Sequence, residues 1–311
     1  MPVTVIVLAA GQGRRMNSAL AKVLQPLAGR PMLAHALASA RELEPAAIRI
    51  VYGHGGDRVR AAFPQGDLDW CLQAEQLGTG HAVAQGLSDV PDGHHVLVLC
   101  GDVPLVRAAT VAPLLESARR GRLGLLTVEL ENPRGYGRVL RDGRGAVTRI
   151  VEERDANDEE RRVREVNTGI IAAEAGRLRQ WLGRVTNDNA QGEYYLTDVI
   201  ALAIADGVAV DAIACADPLE VQGINDRVQL AAAERALQRR RAAELLAAGV
   251  TLADPERVDV RGTLSVGRDV FIDVGAVFEG AVELGDGVRI GPYAVIADSV
   301  LGAASVVHSL T

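Results

Sequence analysis

Residues 260–302, VRGTLSVGRDVFIDVGAVFEGAVELGDGVRIGPYAVIADSVLG, decide the fold of the C-terminal part of the chain. Apolar residues recur in this stretch every six positions, in two series. The first series is Val260, Val266, Ile272, Phe278, Leu284, Ile290 and Ile296, and the second is Leu264, Val270, Ala276, Val282, Val288, Ala294 and Val300. A period of six is neither helical nor that of a simple alternating strand, and it is typical of a parallel β-helix. We therefore predict a β-helix whose inward-facing residues come from these two series.

The repeat continues almost to the last residue. Three six-residue faces make one coil, so residues 260–311 supply about three coils. The sequence then stops in mid-pattern, whereas the last apolar layer of a solenoid needs a cap. We expect a truncated chain, or one whose last coils are covered by a partner subunit.

The segment before the repeat, DRVQLAAAERALQRRRAAELLAAG at residues 226–249, predicts a long connecting helix that ends at a glycine. Its three consecutive arginines, Arg239, Arg240 and Arg241, could suggest an anion site. A run of charge on a helix is more often a solvated face, and we predict that here.

The chain up to about Cys215 alternates strand-like and helix-like patterns. VTVIVLAA, IRIVYG, HHVLVLCGD and LGLLTVEL are near-continuous apolar runs of strand length, as expected when both faces of a sheet are covered. MLAHALASARELE, GHAVAQGLSDV and AATVAPLLESARR between them have helical spacing. GYGRVLRDGRGAVTRIVEE predicts a hairpin added to the sheet. This alternation predicts an α/β fold with mainly parallel strands.

The composition narrows the class of protein. The 311 residues are 48% hydrophobic, which is enough for a full core, and the net charge of −7 argues against polyanionic partners such as nucleic acid or a membrane surface. Cys71, Cys100 and Cys215 lack metal-ligand spacing, so we expect reduced thiols. Because neither a signal sequence nor a membrane-spanning segment is recognisable, we expect a soluble cytoplasmic protein.

The first predicted strand runs into a loop rich in glycine and arginine, VIVLAAGQGRRM at residues 5–16. A dinucleotide-binding fingerprint would need a third glycine where Met16 stands, and a Walker A motif is absent. Gly11 and Gly13 could let backbone N–H groups approach a phosphate. The cations that follow, Arg14, Arg15 and Lys22, suit a polyphosphate. The alternative is a surface loop with solvated cations.

A second candidate element is VLVLCGDVPL, a buried strand that ends at Gly101 and Asp102. A carboxylate at the carboxyl edge of a parallel sheet lies where α/β proteins bind ligands, and it suits Mg²⁺ shared with substrate phosphates. The alternative is that Asp102 caps a helix after Pro104.

Several motifs occur in one order over the first 225 residues and carry a family resemblance. They are LAAGQGRRM with its Lys-Val-Leu loop, QAEQLGTGHA, GDVPL, GYGR, IVEE, VNTGI, NAQGEYYLTD and VQGIND. With the hexapeptide tail, they resemble the bacterial bifunctional N-acetylglucosamine-1-phosphate uridylyltransferases/glucosamine-1-phosphate acetyltransferases, the GlmU family. The first motif alone marks only the broader sugar-nucleotidyltransferase superfamily, whereas QLGTGHA, NAQGEYYLTD and the attached repeat are specific to this family.

The resemblance implies a fold and a reaction. The fold would be a Rossmann-like nucleotidyltransferase domain at 1–225 with a mixed, mainly parallel sheet, a connecting helix at 226–249, and the first coils of a left-handed parallel β-helix at 250–311. The reaction would be Mg²⁺-dependent transfer of UMP from UTP to N-acetylglucosamine 1-phosphate, giving UDP-N-acetylglucosamine and pyrophosphate for peptidoglycan and lipopolysaccharide precursors. The family's acetyltransferase residues would follow Thr311, so we expect no acetyltransferase activity here. The full-length parent would be a homotrimer.

The resemblance also implies site residues. Arg15, Lys22 and Asp102 would be catalytic, with Arg15 and Lys22 facing the triphosphate, and Asp102 and Asn225 would hold Mg²⁺. The backbone from Leu8 to Gly11, with Gln73, Gly78 and Thr79, would hold the uridine, whereas Gly137, Glu152 and Asn167 would face the sugar. The full substrate-binding set is Leu8, Ala9, Ala10, Gly11, Lys22, Gln73, Gly78, Thr79, Cys100, Gly101, Asp102, Gly137, Glu152, Asn167 and Asn225. Taken singly, the glycines could be turn residues, Glu152 a solvated acid, and the asparagines turn or cap residues.

Three positions depart from the family pattern. The family usually has Thr or Ser at Arg14, Pro at Ala21 and an aromatic residue at Cys100. Arg14 could add charge near the triphosphate, and Ala21 leaves the Lys22 loop less pre-organised than proline would. We expect a structural role for His81, because transfer from an ionised phosphate needs no general base.

Two alternative functions stay open at this stage. One is nucleotidyl transfer with dTTP or another hexose 1-phosphate. The other is a regulatory subunit without catalysis, although such subunits typically lose the cationic or metal-binding groups that are present here.

Overall fold

The computed structural model describes residues 1–11, 13–53 and 56–311, and only the backbone of residue 14. These residues form two compact units. The first comprises Met1–Leu24 and Met32–Gly223, and the second comprises Gln25–Pro31 and Ile224–Thr311. The predicted domain limits at residues 225 and 249 stay a prediction.

The elements are numbered in chain order. The strands are β1 (Val3–Ala9), β2 (Pro26–Leu27), β3 (Arg30–Pro31), β4 (Ala47–Gly53), β5 (Leu68–Gln73), β6 (His95–Cys100), β7 (Leu123–Glu129), β8 (Arg138–Arg141), β9 (Val147–Val151), β10 (Glu165–Glu174), β11 (Val210–Cys215), β12 (Thr251–Leu252), β13 (Asp259–Val266), β14 (Phe271–Ile272), β15 (Val277–Leu284), β16 (Arg289–Ile290), β17 (Val295–Ala297), β18 (Val300–Leu301) and β19 (Val306–Val307). The α-helices are α1 (Met32–Arg41), α2 (Asp57–Ala61), α3 (Thr79–Leu87), α4 (Ala108–Arg119), α5 (Ala175–Leu182), α6 (Asp198–Ala205) and α7 (Arg227–Ala247). Short 3₁₀-helices lie at Arg14–Met16, Lys22–Leu24, Glu160–Arg162, Pro218–Glu220 and Pro255–Arg257. None of the helices in the described ranges combines the length and the hydrophobicity that a membrane span requires.

The first unit is built on a mixed, mainly parallel sheet in the order β11-β7-β10-β6-β1-β4-β5. β1 is parallel to β4 and β6, β4 to β5, and β7 to β11. β10 is antiparallel to both β6 and β7. The predicted hairpin is β8–β9, and β8 joins it to β10. The predicted α/β fold is therefore confirmed.

Both faces of this sheet are covered by apolar helix faces, as the continuous strands predict. Alternate residues of β1 belong to different cores, because Val5 and Val7 face one side and Ile6 the other. The first side packs against residues of α1 and α4 such as Leu37 and Leu114. The opposite side packs against residues of α3, α5 and α6, including Trp181. Since β1, β4, β5 and β6 are parallel, their carboxyl ends lie along one edge of the sheet.

The second unit contains stacked parallel strands with the predicted repeat. Val260, Phe278 and Ile296 occupy equivalent positions on β13, β15 and β17, one coil of three hexapeptides apart. Phe278 and most members of both series are buried. Val300 is the exception: it is 73% exposed, so the prediction that it faces inward is wrong. The reason is a coil shortened by one residue, since Leu284 pairs with Leu301 and Leu301 takes the inward position.

The predicted connecting helix is α7, and it packs along the first coil. Asp226 caps its N-terminus by accepting from the Gln229 N–H at 2.8 Å. Gln238 is buried and holds both backbone groups of Val260, with its amide nitrogen 3.0 Å from the carbonyl oxygen and its amide oxygen 2.8 Å from the N–H. Arg241 is half-buried and donates to the same carbonyl. The prediction of a solvated arginine face is therefore wrong for Arg241, because its helix face is turned toward β13.

Candidate active site

The loop after β1 is shaped around a lysine. Gly13 has φ +60°, and a Cβ there would lie 2.5 Å from Cβ of Lys22. Its carbonyl accepts from the Met16 N–H at 2.9 Å, which closes the turn. Lys22 is only 8% exposed, and its ammonium group forms an ion pair with Asp102. Glycine is thus required at position 13 by left-handed backbone and by contact with Lys22. The Arg14 side chain, which was predicted near the triphosphate, lies outside the described residues, as does Gln12 of the same loop.

Asp102 follows β6 at the carboxyl edge of the sheet. The Gly101 N–H donates to the Leu8 carbonyl at 2.9 Å, which ties the end of β6 to the end of β1. The alternative that Asp102 caps a helix after Pro104 is wrong, because α4 begins at Ala108 with Arg107 at its N-cap position. The carboxylate instead meets the Lys22 ammonium and keeps 27% of its side chain exposed.

Tyr136 and Arg15 lie close enough to this pair to interact electrostatically. Burial raises the pKa of Tyr136, the negative charge of Asp102 raises it further, and the positive charge of Arg15 opposes the shift. Arg15 itself is exposed on the turn Arg14–Met16. The phenol therefore stays protonated and can donate a hydrogen bond beside Asp102. Tyr136 was not predicted from the sequence, although it lies in the GYGR motif.

A cavity of about 280 Å³ opens next to Asp102 at the same edge. Gln73 ends β5 and is 3% exposed, and Gly78 precedes α3 with φ 108° and ψ 175°. Gln76, which sequence reasoning also missed, donates from its amide to the Ala10 carbonyl at 2.8 Å and holds the loop after β1. The cavity is lined by Leu8, Ala10, Gly11, Gln73, Gln76, Gly78, Thr79, Ala82, Cys100, Asp102 and Glu193.

Residues 194–197, here called the strap, hold the start of α3. The Tyr194 N–H donates to the Leu77 carbonyl, and the Gly80 N–H donates to the Tyr194 carbonyl, both at 2.8 Å. The Leu196 N–H donates to Oγ1 of Thr79 at 3.1 Å. A Cβ at Gly78 would lie 2.6 Å from the Tyr194 carbonyl oxygen, so only glycine fits between the strap and α3.

The last strap residue reaches the predicted sugar side. Thr197 donates through its hydroxyl to Oε1 of Glu152 at 3.1 Å. Burial raises the pKa of Glu152, as do the charges of Asp198 and Asp155, whereas the Thr197 hydrogen bond opposes the rise. A Cβ at Gly137 would lie 3.2 Å from the same carboxylate oxygen.

Asn167 lies at the start of an irregularity that interrupts the pairing of β10 with β7. The register shifts between Asn167 and Ile171, and Gly169 in this bulge has φ +79°. The Asn167 N–H donates to the Gly137 carbonyl at 2.9 Å, and the Asn167 side-chain oxygen accepts from the Gly169 N–H at 3.0 Å. Backbone contacts therefore bring Gly137, Glu152 and Asn167 together.

A second, smaller cavity of about 100 Å³ lies between these groups, and Leu8, Thr79 and Cys100 line both cavities. Cys100 is half-buried, and burial of its thiol together with the charge of Asp102 raises the pKa of that thiol to about 12, so the thiol stays neutral. The second cavity is lined by Leu8, Thr79, Cys100, Ile150, Glu152, Asn167, Gly169, Ile171, Leu196, Thr197 and Ile200.

The structure thus groups most of the predicted site residues around two adjoining cavities. Ala9 is the last residue of β1 and is buried, so only its backbone is available to a ligand. Asn225 belongs to the second unit, and its pairing with Asp102 at a metal stays a prediction. The functional roles of all these residues likewise stay predictions.

Two domain families match the chain. The family described as "MobA-like NTP transferase domain" matches residues 5–174. The family described as "Bacterial transferase hexapeptide (six repeats)" matches residues 264–298. The two matches fall on the two kinds of architecture described above.

Curated relatives are named "Bifunctional protein GlmU". The protein from Alkalilimnicola ehrlichii is 58% identical over 299 residues, covering 96% of this chain and 64% of that protein. The protein from Xanthomonas axonopodis pv. citri is 56% identical over 310 residues, covering 99% of this chain and 68% of that protein. This chain therefore spans about two thirds of the length of these relatives.

Among solved structures, a UDP-glucose pyrophosphorylase complexed with UDP-glucose aligns with a TM-score of 0.62 at 15% identity, covering 78% of this chain and all of that one. A putative glucose-1-phosphate thymidylyltransferase from Bacillus anthracis aligns with a TM-score of 0.59 at 20% identity, covering 76% of this chain and 94% of that one. At these identities the likeness concerns the fold alone.

Proposed function

Because this chain belongs to the GlmU family, we propose that its first unit transfers UMP from UTP to N-acetylglucosamine 1-phosphate, giving UDP-N-acetylglucosamine and pyrophosphate. The observation that carries the proposal is the pair of adjoining cavities. One is lined by Gln73, Gly78 and Asp102, and the other by Glu152 and Asn167. The first suits a nucleoside with its phosphates, and the second suits a sugar with hydroxyl and amide groups. The product would supply peptidoglycan and lipopolysaccharide precursors.

The proposed chemistry needs no protein nucleophile. A phosphate oxygen of the sugar phosphate attacks the α-phosphorus of UTP, and the bond to the β-phosphate oxygen breaks as pyrophosphate leaves. Negative charge grows on the leaving group, so Lys22 and Arg15 would act by stabilising that charge and holding the phosphates in line. The contact of Gly13 with Lys22 fixes the stem of that side chain.

Asp102 and Asn225 are the proposed ligands of a divalent metal ion, with Mg²⁺ as the proposed ion. Asp102 fits this role because its carboxylate is partly exposed at the cavity that also contains Gly11. No cluster of three acidic, histidine or cysteine residues occurs among the described residues, which fits an ion held mainly by substrate phosphates and water. When bound, such an ion would neutralise phosphate charge. Lys22 balances the Asp102 charge until the substrate arrives.

The test is a coupled pyrophosphate-release assay with UTP, Mg²⁺ and N-acetylglucosamine 1-phosphate. We expect Lys22→Met and Asp102→Asn to lower kcat by about two orders of magnitude or more, since the first removes a positive charge beside the reacting phosphates and the second removes the charge of a proposed metal ligand. The matched control is Asp67→Asn, which breaks an exposed ion pair with Arg41 in the same unit and should leave kcat unchanged.

The same assay separates the competing functions. A panel of UTP and dTTP with several hexose 1-phosphates would reveal a different substrate pair. A folded native protein that is silent with all of them would instead support a regulatory, non-catalytic role. Near-normal kcat in both charge-removing variants would contradict the proposed mechanism.

A further inference from the structure

His81 in α3 joins two glutamines, and the proposed mechanism has no task for it. Its Nδ1 lies 3.1 Å from the amide nitrogen of Gln73, and its Nε2 lies 3.2 Å from the amide nitrogen of Gln85. Gln73 is buried and also donates from the same amide nitrogen to the Gly78 carbonyl at 3.1 Å. Gln73, Gln85 and His81 therefore form a chain of polar contacts behind the cavity wall.

The Gly78 carbonyl fixes the direction of this chain. A carbonyl can only accept, so Gln73 must place its NH₂ group toward Gly78 and His81. His81 Nδ1 then accepts, and a neutral imidazole carries its single proton on Nε2. Two donors cannot share this contact, so we infer that the Gln85 amide is turned by half a turn about its terminal bond and faces His81 Nε2 with its oxygen rather than its nitrogen. Both N–H groups of Gln73 are thereby occupied.

The amide oxygen of Gln73 is the one polar atom of its side chain that these contacts do not use. Within the described part of the chain, no group donates to that oxygen, and Gln73 lines the larger cavity. An acceptor there matches the N3–H donor of uracil or thymine. Cytosine has an acceptor at N3, so the two acceptors would oppose each other and leave the buried amide oxygen unpaired.

We propose that His81 and Gln85 are positioning residues that make Gln73 present only an acceptor to the base, and so select uracil over cytosine. The inference rests on the proposed nucleotidyltransferase function and on the predicted contact of Gln73 with the base. Neither His81 nor Gln85 touches the substrate in this proposal.

The test compares UTP with CTP in the pyrophosphate-release assay. In His81→Leu, one of the two acceptors of the Gln73 amide is lost and the Gly78 carbonyl alone must hold its orientation, so we expect kcat/KM for UTP to fall about tenfold or more and the UTP-to-CTP preference to fall with it. His81→Asn keeps an acceptor oxygen near the Nδ1 position and should retain a preference within about threefold of the native one. Gln85→Met should weaken the preference while preserving helix and volume.

The tautomer of His81 provides a readout independent of catalysis. Two-bond ¹H–¹⁵N correlations of protein labelled in histidine should place the His81 proton on Nε2, with the signal assigned from its absence in His81→Asn. Gln85→Met should raise the share of the Nδ1-protonated tautomer, because only the contact of Nδ1 with Gln73 then favours a proton on Nε2. A proton on Nδ1 in the native protein would overturn the proposal.

The kinetic outcomes separate two failures. A native enzyme that prefers UTP, with an unchanged preference in His81→Leu, overturns the inference and leaves the proposed function standing. A folded native protein that releases no pyrophosphate from any nucleotide overturns both.

Discussion

Replacing Gly78 by alanine should loosen the joint between the strap and α3. The Gly78 backbone (φ 108°, ψ 175°) lies in a region that is essentially restricted to glycine. Other residues adopt this conformation at a free-energy cost of about 1–3 kcal/mol. The new Cβ would also lie 2.6 Å from the Tyr194 carbonyl oxygen. Relief of that clash moves Tyr194 and weakens its two backbone hydrogen bonds, with Leu77 and Gly80, at about 0.5–1.5 kcal/mol each.

These contributions sum to about 2–6 kcal/mol, less about 0.4–1 kcal/mol because alanine restricts the unfolded chain. For a unit of about 150–250 residues, such as the first unit, a loss of 3 kcal/mol lowers Tm by about 6–12 °C. Because Gly78 lines the larger cavity, KM for UTP should rise as well.

Thermal unfolding and the UTP dependence of pyrophosphate release would be measured together. Gly93→Ala is the matched control, since a Cβ at Gly93 meets nothing within 4 Å and its backbone needs no positive φ. We expect the control to unfold within about 1 °C of the native protein. If Gly78→Ala behaves like the control in both assays, the strap contacts do not constrain the site and the reasoning is refuted.

Two further predictions concern the sugar side and the coils. The pKa of Glu152 is raised by burial, so its ionised form is lost as pH falls through that raised pKa, and KM for N-acetylglucosamine 1-phosphate should rise there. Thr197→Val removes a hydrogen bond that favours the ionised form and should move this rise to higher pH. Since the substrate phosphate also titrates, the test is the difference between variant and native profiles, and coincident profiles would count against it. Phe278→Ala empties a position that is 1% exposed and should destabilise the coils by about 3–5 kcal/mol in chemical unfolding, whereas Val295→Ala at a 55% exposed position should change little.

Patterns within one element carried most of the fold prediction. The apolar runs that became β1 and β6 and the six-residue period of the coils are local signals, and each element can bury its face in only one way. The direction of β10 is not a local signal. Its apolar run from Ile170 to Ala173 is buried on both faces and would look the same beside parallel or antiparallel neighbours, so the mixed character of the sheet came from the family resemblance.

At position 300 the six-residue repeat no longer predicts which residue faces inward. Val300 and Leu301 are adjacent and both apolar, as are Val306 and Val307, so either member of each pair could face inward. Pairing with the preceding coil decides the matter, since Leu284 aligns with Leu301. The six-residue period cannot reveal a coil that is one residue short when the residue next to the expected inward position is also apolar.

The candidate site was predictable where a residue's role follows from its motif, and less so where the role depends on a distant contact. Lys22 and Asp102 were both singled out, yet their ion pair joins residues 80 positions apart and needs β1 and β6 as neighbours. The sequence offered a helix cap as an equal explanation of Asp102. Thr197 had no signal of its own beyond lying in NAQGEYYLTD, because its hydroxyl matters only once β9 delivers Glu152 beside it.

The strap offers a physical reason for the expectation that NAQGEYYLTD is specific to one family. It contacts Leu77, Thr79 and Gly80 on the proposed nucleoside side and Glu152 on the proposed sugar side. A single short segment therefore sets the spacing between the two cavities. In the proposed reaction the sugar phosphate must meet the α-phosphorus in line, and small displacements of one substrate relative to the other are costly. A superfamily member with another sugar needs a different spacing, so the segment that fixes the spacing should change with the substrate while the phosphate loop after β1 stays the same.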